Sequence, residues 1–152
     1  VNFVRSERIL IKYVKMINSP FWVMHPLLCK DITVDGVTVW NEGPNGDGCD
    51  PEACENVLIQ NCIFHTGDDC IAIKSGRNND GRLWNKPSKN IIIRNCRMED
   101  GHGGVVIGSE ISGGCENVYA ENCEMDSPHL ERILRLKTNN CRGGPLQNIH
   151  IV

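Results

Sequence analysis

The sequence predicts an all-β chain wound as a right-handed parallel β-helix. Three observations carry that reading: a short motif recurs along the chain, apolar and polar residues alternate within each copy, and Gly, Asn, Asp and Pro turns separate the copies. The three clearest copies are Asn56-Val57-Leu58-Ile59-Gln60-Asn61-Cys62, Asn90-Ile91-Ile92-Ile93-Arg94-Asn95-Cys96 and Asn117-Val118-Tyr119-Ala120-Glu121-Asn122-Cys123. Asn148-Ile149-His150-Ile151 begins another, and looser versions stand at Asp31-Ile32-Thr33-Val34-Asp35-Gly36 and Arg8-Ile9-Leu10-Ile11. The copies start at 8, 31, 56, 90, 117 and 148, so the intervals are 23, 25, 34, 27 and 31 residues. Repeats of this size hold two or three short strands, and stacked coils place equivalent strands about 4.8 Å apart. The leucine and asparagine spacing of leucine-rich repeats is absent, and helical periodicity is weak throughout.

Within each copy the β-branched Val and Ile favour strands, with every second side chain turned inward. The recurrent Asn residues are expected to stack as amide ladders along the solenoid axis, since an amide both donates and accepts. Nine cysteines is a high and odd number, but no Cys-x-x-Cys spacing occurs and no histidines cluster with them, which argues against a zinc site. Cys62, Cys96 and Cys123 each follow an asparagine in the same motif, the pattern of a buried small residue and not of a disulfide framework. Cys70 also reads as a buried packing residue and not a nucleophile, because no His stands beside it in sequence.

With 152 residues and a formal charge of −3, the chain is long enough for one substantial core and offers no basic surface for nucleic acid. No apolar run approaches the roughly 18–20 residues that span a bilayer, so the chain reads as soluble, and a monomer without cofactor or metal is expected. It opens at Val1 without Met and closes inside the apolar segment Asn148–Val152. The expectation is therefore that 1–152 is one β-helix segment of a longer catalytic domain, and the missing leader is uninformative about location.

The chemistry concentrates in four places. Thr66-Gly67-Asp68-Asp69-Cys70 puts two adjacent carboxylates at a glycine bend before an apolar run. Asn45-Gly46-Asp47-Gly48 holds a third, Gly101-His102-Gly103-Gly104 an imidazole, and Arg135-Leu136-Lys137 two cations. Taken alone an Asp-Asp pair is usually a solvated turn. Counted from the repeat starts, however, Asp68 and His102 both fall at offset 12, Asp69 at 13, Asp47 at 16 and Arg135 at 18. Successive coils would gather these groups within about 15 Å on one face, at one strand spacing per coil. Strict alternation would send Asp68 and Asp69 to opposite faces, so the pair is expected at a bend, with Arg135 and Lys137 outward and Leu136 in the core. Clustered carboxylates cannot all ionise freely, which suits one to hold a proton while another stays charged, as glycoside hydrolysis requires.

In that order, Asn45-x-Asp47, Gly67-Asp68-Asp69, Gly101-His102-Gly103 and Arg135-x-Lys137 resemble the four signature motifs of the polygalacturonase family of glycoside hydrolases, family 28. Two departures are Gly46, where the family often has Thr, and Leu136, where it usually has Ile; Gly46 is expected to loosen the local backbone. The resemblance implies hydrolysis of α-1,4-linked galacturonan with inversion. By position it implies Asp68 as the general acid, Asp47 and Asp69 activating water, and His102 supporting the acid. Asn45, Arg135 and Lys137 are the implied substrate-binding residues, the two cations for uronate carboxylates. It also implies a secreted or periplasmic protein, because the polymer is met outside the cytoplasm. A cleft floored by three aspartates would repel galacturonate, so flanking cations favour an acidic polymer independently of the family. The competing readings are a non-catalytic, carbohydrate-binding or structural β-helix and a calcium-dependent polysaccharide lyase. Endo or exo action, and homogalacturonan or a rhamnose-containing backbone, stay open at this point.

Overall fold

The computed structural model describes residues 1–152, with sixteen strands and one short helix. The first coil contains β1 (Asn2–Val4), β2 (Glu7–Lys12) and β3 (Lys15–Ile17). The second contains β4 (His25–Leu27), β5 (Lys30–Asp35) and β6 (Thr38–Asn41), and the third β7 (Glu55–Gln60) and β8 (Ile63–Thr66). The fourth runs through β9 (Ile71–Ile73), α1 (Asn78–Trp84), β10 (Ser88–Arg94) and β11 (Arg97–Gly101). The fifth contains β12 (Val105–Gly108), β13 (Cys115–Glu121) and β14 (His129–Leu130), and the sixth β15 (Leu134–Lys137) and β16 (Leu146–Ile151).

Every pairing is parallel and joins a strand to its counterpart one coil away. One face is the six-stranded sheet β16-β13-β10-β7-β5-β2, the second the five-stranded β14-β11-β8-β6-β3. The third face is β15-β12-β9, which single bridges from Ile71 to Cys49 and from Cys49 to Met24 carry towards the β4-β1 pair. The parallel solenoid expected from the repeats is thus the observed architecture.

The period-two pattern works as the sequence implies. Ile32, Val57, Ile91 and Val118 stand in register and are buried, while their neighbours Ile92 and Tyr119 face outward and are 40% and 44% exposed. Burying one apolar file per sheet, coil after coil, builds a core of 27 residues.

What fixes the register is the position each motif starts with. Arg8, Asp31, Asn56, Asn90, Asn117 and Asn148 are skipped by the pairing and all adopt left-handed backbone, with φ between 53° and 58°. Asn tolerates that conformation better than other side chains with a β-carbon, because its amide bonds locally. Here the amides bond along the axis: Asn56 Nδ2 donates to Asp31 Oδ1 at 2.8 Å, Asn90 to Asn56 at 3.1 Å, Asn117 to Asn90 at 3.0 Å and Asn148 to Asn117 at 2.9 Å.

The Cys62–Cys96–Cys123 column follows that sheet, and a second small-residue column, Cys29, Cys54, Ser88 and Cys115, precedes it. None of the nine thiols is in a disulfide. The sequence did not foresee α1. It occupies the longest interval between motif starts and is only seven residues long, too short to show periodicity.

Replacing Asn90 by Ala should lower the urea midpoint by the equivalent of about 1–2 kcal/mol, from two lost ladder bonds and a left-handed Ala. Asn90→Gly should recover part of that loss. Equal midpoints for the two variants would contradict the left-handed constraint.

Candidate active site

The aspartate and histidine motifs lie at one corner of the coil, where the five-stranded sheet gives way to the third face. Gly67 and Asp68 form the bend after β8, Asp69 and Cys70 follow it, and His102 occupies the same corner one coil on, between β11 and β12. Asp47 sits at the equivalent point one coil earlier. Backbone bonds stack these corners: Gly48 N–H donates to Asp69 O at 3.0 Å, His102 N–H to Asp68 O at 3.0 Å, and Cys70 N–H to Gly103 O at 2.8 Å. The bend expected at Asp68-Asp69 is therefore present, and it lets two consecutive side chains point the same way.

Each of Asp47, Asp68 and Asp69 contributes a carboxylate oxygen to a group in which all three lie within 4.8 Å of one another. Their surroundings differ. Asp47 and Asp69 are buried, whereas the Asp68 side chain is 22% exposed and accepts from or shares a proton with His102, Nδ1 to Oδ1 at 3.1 Å. Burial pushes the Asp47 carboxyl up to about 6; the Lys74 ammonium opposes that rise, and Asp68 and Asp69 add to it. Burial also raises the Asp69 carboxyl, against the pull of Lys137.

Lys137 is ion-paired with Asp69 Oδ2, 68 residues away in sequence. Arg135, two residues earlier on the same side of β15, makes no ion pair. Leu136 lies in file with Ile107 and Ile73, as expected of a core residue, yet is 54% exposed because β15 is the last strand of its sheet. Asn45 stands on an exposed turn with left-handed backbone and makes no side-chain hydrogen bond to the carboxylates.

Two glycines define the fit. A β-carbon on Gly103 would stand 2.4 Å from Val106 Cγ2, so this turn, beside Asp69 and Arg135, packs too closely on Val106 for a side chain. Gly46 does not loosen the chain as expected: a β-carbon there would fall 2.4 Å from Gly43 O and 2.7 Å from Asn41 O, so this turn is too tight for Thr. Cys70 is wholly buried, its thiol pushed up to about 12 by desolvation, which keeps it a packing residue and not a nucleophile.

Sequence reasoning missed a buried neighbour of this group. Lys74 is 3% exposed, with Nζ 3.4 Å from Asp50 Oδ2 and 3.2 Å from Glu110 Oε2. A lysine closing the fully buried run Ile71-Ala72-Ile73 was the available signal, because a buried ammonium demands acids beside it.

Comparison with known proteins agrees with this geometry. Residues 1–151 match the model of "Glycosyl hydrolases family 28". A "Probable polygalacturonase" of Vitis vinifera is 34% identical over 154 residues, covering 99% of this chain and 31% of that protein. Among solved structures, a hyperthermoactive exopolygalacturonase from Thermotoga maritima superposes with TM-score 0.93 at 47% identity, over 97% of this chain and 33% of that one. A family 28 exopolygalacturonase from Yersinia enterocolitica gives TM-score 0.87 at 27% identity, over 93% and 24%. The chain thus spans about a third or less of the length of these relatives.

Because the folded state holds the Asp47 proton up to about pH 6 while the unfolded chain releases it near 3.8, stability falls as pH rises through that window. Asp47→Asn should therefore melt several degrees above wild type at pH 7.5, with the gain vanishing below pH 3.8. A gain of equal size at pH 3.5 and pH 7.5 would rule out burial of this charge as its source.

Proposed function

Since the chain belongs to glycosyl hydrolase family 28, we propose that it carries the catalytic corner of an enzyme that hydrolyses α-1,4-galacturonosyl linkages with inversion. The observation that supports this most is the convergence of three carboxylates from two successive coils, with His102 on one and a free Arg135 beside them.

Asp68 is the acid. It is the most exposed of the three and the one held by an imidazole, so it is oriented toward a ligand and can regain a proton from solvent. It gives that proton to the glycosidic oxygen as the C1–O bond breaks. A water oxygen bonds to C1 from the opposite side and loses its proton to Asp47 or Asp69, whose burial raises their basicity. The products are one sugar with a new reducing end and one with a free hydroxyl, and the carboxyls then exchange protons with solvent.

Arg135 takes a substrate carboxylate as a planar fork. Lys137 acts on both partners: it holds Asp69 in place and offsets the negative floor that would repel a uronate. The reading extends to an acidic polysaccharide substrate met outside the cytoplasm, and both solved neighbours carry the names of exo-acting enzymes, which favours release from a chain end. No helix is long and apolar enough to cross a membrane.

Reducing-end release from polygalacturonic acid, assayed with chelator in the protein that carries this chain, tests the reading. Asp68→Asn should lose activity by about a hundredfold or more while still binding the polymer. Full activity in Asp68→Asn would remove it from the acid role, and a chelator-sensitive, unsaturated product would show a lyase. In the same assay Arg135→Ala should raise KM more than it lowers kcat.

A further inference from the structure

Beside the three aspartates lies an ion cluster that the proton transfers above do not use. Lys74, just past β9, is enclosed by Asp50 Oδ2 at 3.4 Å, Glu110 Oε2 at 3.2 Å and Gly108 O at 3.4 Å, with Nζ 4.5 Å from the centre of the Trp22 ring. Asp50 is completely buried, and neither of its oxygens receives a hydrogen bond. Glu110 is braced from its other side by Ser109 Oγ at 3.0 Å and by Arg142 Nη2 at 3.6 Å. With its side chain 4% exposed, Lys74 cannot reach a polysaccharide.

We propose that Lys74 is a positioning residue: its ammonium, paired with Glu110 and with buried Asp50 three residues from Asp47, offsets the negative charge around Asp47 and so favours the ionised Asp47 that takes the proton of the attacking water. This rests on the hydrolase reading given above. Five acids meet only three cations around it, so the loss of any one cation deepens the negative excess. Asp47, Asp50, Asp68, Asp69 and Glu110 face Lys74, Lys137 and Arg142. Lys137 pairs with Asp69 and Arg142 with Glu110, while Lys74 pairs with Glu110 and is the cation that meets Asp50, three residues from Asp47.

Desolvation and mutual repulsion act in the same direction on Asp50 and Asp47, three residues apart, and burial holds the Asp50 carboxyl well above the usual carboxylate range against the pull of Lys74. Burial works against the ammonium as well, but Asp50, Glu110 and Asp47 outweigh it and hold Lys74 charged. Glu110, for its part, is kept below the usual carboxylate range: burial raises it, and Lys74 and Ser109 more than compensate. Lys74 is also the charge that acts most strongly on Asp47, and it acts against burial.

The test compares wild type with Lys74→Gln and Lys74→Arg in the protein that carries this chain, using two readouts. Carboxyl ¹³C NMR titration of Asp47 should show its midpoint rise by about one pH unit or more in Lys74→Gln, and return towards wild type in Lys74→Arg. The acid limb of kcat on polygalacturonic acid should move up by the same amount, with KM changing less than about threefold. Glu110→Gln, at a partly exposed site, should move both readouts to lower pH and serves if Lys74→Gln does not fold. An Asp47 midpoint unmoved by the folded variants would overturn the proposal, as would a loss of activity uniform across pH. Wild type inactive on polygalacturonic acid would overturn the hydrolase reading instead, and the Asp47 titration would still decide the role of Lys74.

Discussion

A file of side-chain hydrogen bonds from the second coil to the sixth holds the coils in register, and the chemistry at the corner depends on it. Asp31, Asn56, Asn90, Asn117 and Asn148 pass hydrogen bonds from coil to coil, each from a left-handed residue that pairing skips. A slip of one residue would turn every side chain of the six-stranded sheet to its other face. Because the motif starts are locked, the differing intervals between them must be absorbed in the turns. The corner after β8 and β11 stays aligned, while α1 takes up the longest excess on another side of the coil.

That alignment creates an electrostatic problem as well as a site. Three carboxylates within 4.8 Å, two of them buried, are unfavourable to a folded chain unless cations meet them. Lys137 meets Asp69 directly, and Lys74, from another coil, pairs with Asp50, three residues from Asp47. Asp68 needs no such partner, since it is partly hydrated and held by His102. Burial thus divides the aspartates into an exposed one that exchanges protons easily and two enclosed ones that bind a proton more tightly than an ordinary carboxylate.

The solenoid was legible because its signal repeats: each Asn-starting motif became a strand of one sheet, and every motif start became a left-handed residue. The convergence of Asp47, Asp68, Asp69 and His102 followed from offsets within those repeats. Features that occur once gave less. Lys74, Asp50 and Glu110 belong to single coils and meet only through the fold. The close packing that excludes a side chain at Gly46 depends on backbone atoms of residues 41 and 43. Lys137 reads as a substrate ligand in sequence, and its attachment to Asp69 emerges only when β15 is laid beside β12 and β9. Alternation placed Leu136 in the core, but it is 54% exposed at the end of the stack, which alternation does not encode.

The stereochemistry of cleavage bears most directly on this account. Inverting glycosidases usually separate their two carboxyls by about 6.5–9.5 Å and retaining ones by about 5–5.5 Å. A group within 4.8 Å would fall on the retaining side if distance alone decided. The account holds instead that Asp47 and Asp69 act together on one water, so that no carboxylate bonds to the sugar. Proton NMR of the first products from polygalacturonic acid, recorded before the anomers equilibrate, distinguishes the two. The account predicts that the new reducing end appears first as the β-anomer. A first product that is the α-anomer, or that carries the vinyl signal of an unsaturated uronate, would contradict it.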